Sequence, residues 1–531
     1  MKGDWKRVCA GVLLFAIAAG PAYAQTEPAQ IEPTQVESAV QTDAADTTQP
    51  VAAAAAKPFI WKTSPFQVSP SVDLVPASPF QAAPPAWFTE RRACEGCPRR
   101  SVGRAFLDVT IINGFYELAN LARGQVTAHI TPKTWWANME QGWVWDLDEF
   151  LVNQIGHPYQ GNNYYNAARA NGLSFWESAG VTAFGSGTWE YFGETNHASL
   201  NDLVNTTLGG IALGEMFHRA AWLIRDTHAT GKGRLWQEIG ATALDPVGGV
   251  KRFASGDSSR VSDKPSDMVP SGLGGLVAAG ALWRGSNTGA FDAQGDGFLE
   301  VDLLYGDVVA GRSRTAYDAF AVKLRFGGGG GFSEAKVRGR LLGQPFANGR
   351  VQVTVLQAYD FAKNTAYQFG SQSFNVSAAY VARASSGWTT VFTGFGGLMV
   401  LGAVDSIPLE GVAPEDTPDG EDPGQGVSEG PRYYDYGPGF LFGSRAVLGY
   451  KRMPVAAFLY ETHHLKSLDG IRANHLLQQV RLDLLAPLKG PVGIGVSWEY
   501  FDRRTFFQDE SRETRKFHFP QFRAFLTWKI S

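Results

Sequence analysis

The sequence predicts an α+β protein in which an N-terminal helical module is followed by a transmembrane antiparallel β-barrel of about twelve strands. Three observations predict it. The chain opens on an export leader, its middle carries apolar residues at spacings of three and four, and from about residue 266 the apolar period becomes two and recurs through many separate segments.

The leader places Lys2, Lys6 and Arg7 ahead of the apolar run VCAGVLLFAIAAG and the small-x-small Ala22-Tyr23-Ala24, so residues 1–24 read as a secretory signal peptide. Residues 25–90 are rich in Ala, Pro, Thr and Gln, a composition that cannot offset ordering entropy, and they are expected to form a disordered tether. Cleavage leaves Cys94 and Cys97 in RRACEGCPRR. In an oxidising compartment this pair is expected to close a small disulfide, ahead of free thiols and of half a zinc site, since zinc needs about four ligands.

Only 18% of the 531 residues are charged, against roughly 25% in soluble proteins. The net charge of -4 gives no argument for a nucleic-acid partner. Beyond the leader no run of about 20 apolar residues provides a membrane helix.

Residues 91–265 are expected to form a helical module on the periplasmic side, below the barrel or against its mouth. Phe106, Val109, Ile112, Phe115, Tyr116 and Ala119 make one amphipathic stripe. A second helix starts at Ser199, with Asp202 three residues on as the partner of a capping box, and Gly209, Gly210 and Gly214 on it allow a close backbone approach.

Residues 266–531 are expected to form the barrel. In FAVKLRF from Phe320, in LEVDLLY from Leu299 and in VGIGVSWEY from Val492, large apolar residues alternate with charged or small ones, Leu304 being the exception. Twelve such segments recur, many longer than the roughly 9–11 residues that a tilted strand needs to cross a bilayer. Long polar connections are expected at the first, fifth, seventh, ninth and eleventh positions, with short ones at the even positions; the third breaks the rule. The chain ends in Ser531 rather than in the aromatic residue that such barrels usually place last.

If the apolar faces meet lipid, the lumen receives Glu300, Asp302, Lys323, Arg325, Lys336, Arg338, Arg340, Arg481, Asp483, Glu499, Arg523 and Lys529. A self-paired interior is the leading expectation, ahead of a basic constriction for anionic solutes. The seventh connection, GVAPEDTPDGEDPGQGVSEG from Gly411, is expected to be a solvated acidic loop, because it lacks calcium-loop spacing.

The polar residues of the module offer candidate chemistry in His157, Glu177, Glu190, Glu194, Glu215 and His218. Glu194 with His197, and Glu215 with His218, are Glu-x-x-His pairs that Glu177 and Glu190 would complete to a di-metal carboxylate set in a helical bundle. The first pair falls in the loop before Ser199, which argues against a shared helical face, so no metal and no cofactor is assigned. Tyr164, Tyr165, Phe175 and Trp176 are expected to pack a core, with the neighbouring asparagines bonded to backbone and caps.

The run VNQIGHPYQGNNYYNAARANGLSFWES, with Trp189-Glu190, Glu194, Asn201-Asp202, Gly209-Gly210, Gly214-Glu215 and ALDPVGGVKRF from Ala243 in order after it, resembles the bacterial outer-membrane family catalogued as domain of unknown function 3943. The resemblance implies an envelope protein with a helical segment ahead of a barrel, and it implies no activity or catalytic residue. The expected location is the outer membrane. The expected role is pore or transport, or envelope organisation, with outer-membrane lipid and a periplasmic protein as candidate partners. The alternative is an outer-membrane enzyme acting on lipid or glycan through the His/Glu cluster.

Overall fold

A closed ring of twelve antiparallel strands carries a layer of helices on its outside. The computed structural model describes residues 98–285, 291, 295–309, 311–328, 331–405, 434–450, 453–509 and 511–530. The leader, the tether, Cys94, Cys97 and the acidic connection from Gly411 lie outside the described residues.

The helices are α1 (Val102–Ala122), α2 (Pro132–Gln141), α3 (His157–Ala170), α4 (Phe175–Phe192), α5 (Leu200–Val204), α6 (Gly210–Ile224), α7 (Gly231–Leu244) and α8 (Pro246–Ser255). Five π-helical residues, Val152–Gly156, run directly into α3, and five more, Asn205–Gly209, join α5 to α6 in one rod. Several starts are written in the local sequence. Ser174 and Glu177 close a capping box on α4, as Thr131 and Thr134 do on α2. Ser199 Oγ accepts from Asp202 N as expected, but no box closes there, because the Asp202 carboxylate turns toward His157.

The α3 and α6 backbones approach at Gly161 and Gly210. A methyl group on Gly161 would overlap the Thr206 carbonyl and lie 2.9 Å from Gly210 Cα, so a side chain there must push the two helices apart. Gly161→Ala is expected to destabilise the module by roughly 1–3 kcal/mol, read as a lower urea midpoint for protease resistance of the helices. An unchanged midpoint would contradict this contact.

The strands are β1 (Leu273–Arg284), β2 (Asp296–Tyr305), β3 (Phe320–Gly327), β4 (Phe332–Phe346), β5 (Val351–Lys363), β6 (Gln368–Arg383), β7 (Trp388–Asp405), β8 (Tyr434–Tyr450), β9 (Met453–Lys466), β10 (Ala473–Pro487), β11 (Val492–Phe507) and β12 (Arg515–Ile530). Pairing of β12 with β1, for example Ala524 with Ala281, closes the ring and leaves no sheet edge.

Two connections differ from expectation. The second is long, residues 306–319, because it docks the helices: its Ala316 carbonyl accepts from Arg219, and its Tyr317 ring stacks on Phe175 at 5.4 Å. The fifth is only residues 364–367, held tight by Asn364 Oδ1 accepting from the Ala366 and Tyr367 amides.

Ion pairs between strands that are not neighbours identify the inner face. Arg325 on β3 reaches Glu499 on β11 at 2.9 Å, Lys336 on β4 reaches Glu461 on β9 at 2.9 Å, and Arg481 on β10 reaches Glu300 on β2 at 3.0 Å. Strand alternation then turns Val301, Leu303, Phe320, Val322, Val337, Tyr359 and Phe361 outward. These residues are buried in one cluster with Ile211, Met216 and Phe217 of α6. Gln357 Nε2 donates to Leu208 O at 2.9 Å, and the Tyr359 hydroxyl donates to Gln154 O at 2.7 Å.

The module therefore lies along the outer wall over β2–β5 and reaches β7 and β8 through Trp145, Phe150 and Val204; the sequence reading has it below the barrel or against its mouth. Every residue of α6 from Gly210 to Leu223 is buried, which a helix facing water on one side would not allow. Elsewhere the outward positions are exposed and apolar, among them Val376, Leu398, Phe442, Leu484, Trp498 and Leu526.

The helical layer also turns apolar residues away from the barrel. The expected α1 stripe is only half right: Val109 is buried, but Phe115 is 69% exposed beside Leu107, Ile111 and Leu118. Trp176 and Phe184 on α4 and Leu235, Trp236 and Ile239 on α7 are exposed as well. No helix among the described residues is long and apolar enough to cross a membrane alone.

Candidate functional site

The six candidate residues of the module separate into three places. Glu177 closes the α4 capping box and pairs with Arg100 at 2.7 Å, so its work is local. Glu215 is fully buried between Arg169 Nε at 2.9 Å and Arg219 Nε at 2.7 Å, and it also accepts from the Tyr165 hydroxyl at 2.9 Å. Its neighbour His218 faces Asp245 Oδ2 at 3.3 Å. Two arginines neutralise Glu215 where a metal ion would otherwise do so, and the di-metal set is not assembled. His197 is exposed in the loop before Ser199.

His157 meets Asp148 and Asp202, and Asp146, Glu190 and Glu194 lie near enough to act on this group electrostatically; Asp146 and Asp148 are not among the sequence candidates, and Asp202 is there only as a capping partner. Backbone pairing brings them together. Val144 N donates to Ala198 O and Leu200 N donates to Val144 O, both at 2.9 Å, which clamps the Trp145–Asp148 stretch against the start of α5. The two π-helical stretches flank the cluster. His157 follows the first directly, Asp202 precedes the second, and His157 Nδ1 lies 3.3 Å from Thr206 Oγ1 inside it.

Amides hold Asp146 in place. Its Oδ1 accepts from Asn153 Nδ2 at 3.0 Å, Asn201 Nδ2 at 2.9 Å and the Asp148 amide at 3.3 Å. Asn153 also donates to the Tyr434 hydroxyl at 2.7 Å, and Trp145 stacks on Tyr436 at 5.5 Å, so the barrel wall supports the cluster directly. Glu190 Oε2 accepts from Ser199 N at 2.8 Å, and Glu194 Oε1 accepts from Trp189 Nε1 at 2.8 Å.

Electrostatically the place is acidic: burial opposes a charge on His157, but the Asp148 and Asp146 carboxylates hold its imidazole above the ordinary value. Asp148, Asp202, Glu190 and Glu194 form no ion pair with a lysine or arginine among the described residues. Burial first, and the Asp148 charge second, push the Glu194 carboxyl up to about 7. Burial and Asp146 likewise raise Asp148. Burial also opposes the charge on Asp146, but hydrogen bonds from Asp202, Asn201 and Asn153, with the field of His157, bring it below the ordinary value.

One signal was available in the sequence. Asp146 and Asp148 form a D-x-D pair shortly before the quoted motif, and Asp202 sits within it as Asn201-Asp202. Of Asn162, Asn163, Asn166 and Asn171, only Asn171, which caps α3 and donates to the Ala167 carbonyl at 2.8 Å, bonds backbone as expected; Asn166 donates to the Asn162 side chain at 2.7 Å and Asn163 to the Tyr116 hydroxyl at 2.6 Å.

Residues 142–247, which include every member of the cluster, match the family model described as domain of unknown function (DUF3943), in agreement with the likeness carried by the motifs. No curated protein matches the chain. Among solved structures the chain is similar to the β domain of the Bordetella autotransporter BrkA, at 10% identity and a TM-score of 0.23 over 48% of this chain and 98% of that one. It is similar to Neisserial surface protein A at 11% identity and a TM-score of 0.15, over 49% and 97% of the two chains. It is also similar to an anion-selective porin from Comamonas acidovorans at 7% identity and a TM-score of 0.18, over 49% and 98%.

Proposed function

We propose that the protein is an outer-membrane barrel with an organising role: it holds a helical layer against its outer wall, in contact with lipid, and conducts no solute. The observation that carries this is the closure of the lumen by its own side chains. Glu300, Arg325, Arg481, Glu499 and Arg523 are nearly inaccessible and bind one another across the ring, and the equally buried Glu461 binds Lys336 and Arg338. A second interior layer of Phe369, Met399, Leu465, Leu477 and Phe501 packs beside them. Barrels of about eight strands are filled by side chains and those of about sixteen leave a channel; twelve strands here behave as the former.

Lipid is the partner that suits the outside. From Leu107 to Leu121 no exposed residue of α1 is charged, and Arg104 and Arg123 flank that side where long cationic side chains can reach lipid headgroups. The enzyme alternative loses its constellation, because Glu215 and His218 are held away from His157, Glu190 and Glu194.

Purified protein in planar bilayers is expected to give no stepwise conductance; regular steps would overturn the sealed lumen. A bimane probe at Phe115→Cys, in a Cys94→Ser, Cys97→Ser background, is expected to be quenched by brominated lipid. Quenching by an aqueous agent instead would remove lipid from the helical surface.

A further inference from the structure

We propose that Asp146, Asp148 and His157, joined by Asp202, form a binding site for one divalent cation of the Mn2+ or Zn2+ kind. One donor atom from each of the first three residues lies within 4.8 Å of the other two, a spread that a small contraction would bring around an ion with bonds of about 2.0–2.2 Å.

The independent observation is His157. It is 4% exposed, and its Nε2 makes no hydrogen bond although it points into the acids, 3.4 Å from Asp202 Oδ1 and 3.9 Å from Asp148 Oδ2. A buried imidazole nitrogen that faces carboxylates without hydrogen-bond geometry is poorly satisfied, and an ion between them would meet both sides. Its other nitrogen faces the Thr206 hydroxyl, the arrangement by which an outer partner orients a metal-bound histidine. Asn153 and Asn201 play the same part for Asp146, fixing one oxygen with two amide donors.

Charge supports the same conclusion. Asp146, Asp148 and Asp202 lie about one imidazole, and Asp148 and Asp202 have no lysine or arginine partner among the described residues. A divalent ion, taking the place of the imidazole proton, would add to the positive charge that faces them. Three carboxylates with one imidazole offer oxygen and nitrogen and no thiolate, a donor set that suits Mn2+ or Zn2+ better than Cu(I) or an iron–sulfur cluster. The two π-helical stretches fit as well, since such bulges recur at functional sites, and here His157 directly follows one and Asp202 lies just ahead of the other. The site is independent of the lipid contacts and of the sealed lumen.

The test uses the untagged full-length protein in detergent, stripped with chelator and titrated with Mn2+ and Zn2+. The expected result is one equivalent bound, weakened at least about tenfold in Asp148→Asn and in His157→Gln and unchanged in Glu177→Gln. Pulsed electron paramagnetic resonance of bound Mn2+ in the unaltered protein is expected to show coupling to an imidazole nitrogen. This readout decides the matter even if a variant fails to fold. Absence of stoichiometric binding, or bound Mn2+ without nitrogen coupling, would overturn the proposal.

Discussion

Glu300→Ala is expected to destabilise the barrel by about 3–5 kcal/mol, the cost of breaking a buried ion network from one side. Glu300 Oε1 accepts from Lys323 Nζ at 2.9 Å and Arg481 Nη2 at 3.0 Å, while Oε2 accepts from Arg325 Nε and Arg523 Nη1, each at 2.8 Å. Four cations from β3, β10 and β12 therefore share one carboxylate, and alanine leaves them facing one another. Glu499 compensates in part, because it also binds Arg325, Arg481 and Arg523. The measurement is the urea midpoint for loss of the compact, heat-modifiable form on gels. Glu300→Gln, which keeps the shape and loses the charge, should fall between the alanine variant and the unaltered protein. A midpoint unchanged in Glu300→Ala would mean that water, and not neighbouring side chains, surrounds these groups.

Glu215→Ala should be comparably damaging, about 3–5 kcal/mol, but to a different part of the molecule. The carboxylate has no exposed surface and neutralises Arg169 of α3 and Arg219 of α6. Arg219 in turn donates to the Asp267 carbonyl at 2.6 Å and the Ala316 carbonyl at 3.1 Å, so the same carboxylate positions the arginine that ties α6 to the barrel. Its loss leaves two buried guanidinium groups unneutralised between helices. Protease should then cut the module in urea concentrations at which the barrel still migrates as folded. If barrel and module unfold together in both variants, the chain is one cooperative unit and the assignment of separate consequences fails.

The spacing of apolar residues was enough to read the strands. FAVKLRF and VGIGVSWEY alternate because a pleated strand sends successive side chains to opposite faces, and both are strands in the ring. Boundaries were less legible: β3 is Phe320–Gly327, and the residues before it serve a connection whose length is set by helices distant in the chain. The charged alternates on β2, β3, β10, β11 and β12 announced a polar interior, but which of them would pair across the ring depended on closure.

What lay outside the sequence's reach was the partner of each apolar face. Leu303 on β2 and Trp498 on β11 occupy equivalent outward positions, yet Leu303 is 2% exposed under the helices and Trp498 is 41% exposed. Alternation reports that a face is apolar and carries no information on whether protein or lipid covers it. The acid cluster is hidden for a related reason. Its members come from the Asp146–His157 stretch, the end of α4 and the start of α5, and only the pairing of Val144 with Ala198 and Leu200 brings like charges together that local rules would keep apart. Periodicity, a local property of the chain, determined the elements; contact between segments distant in sequence decided what each surface meets.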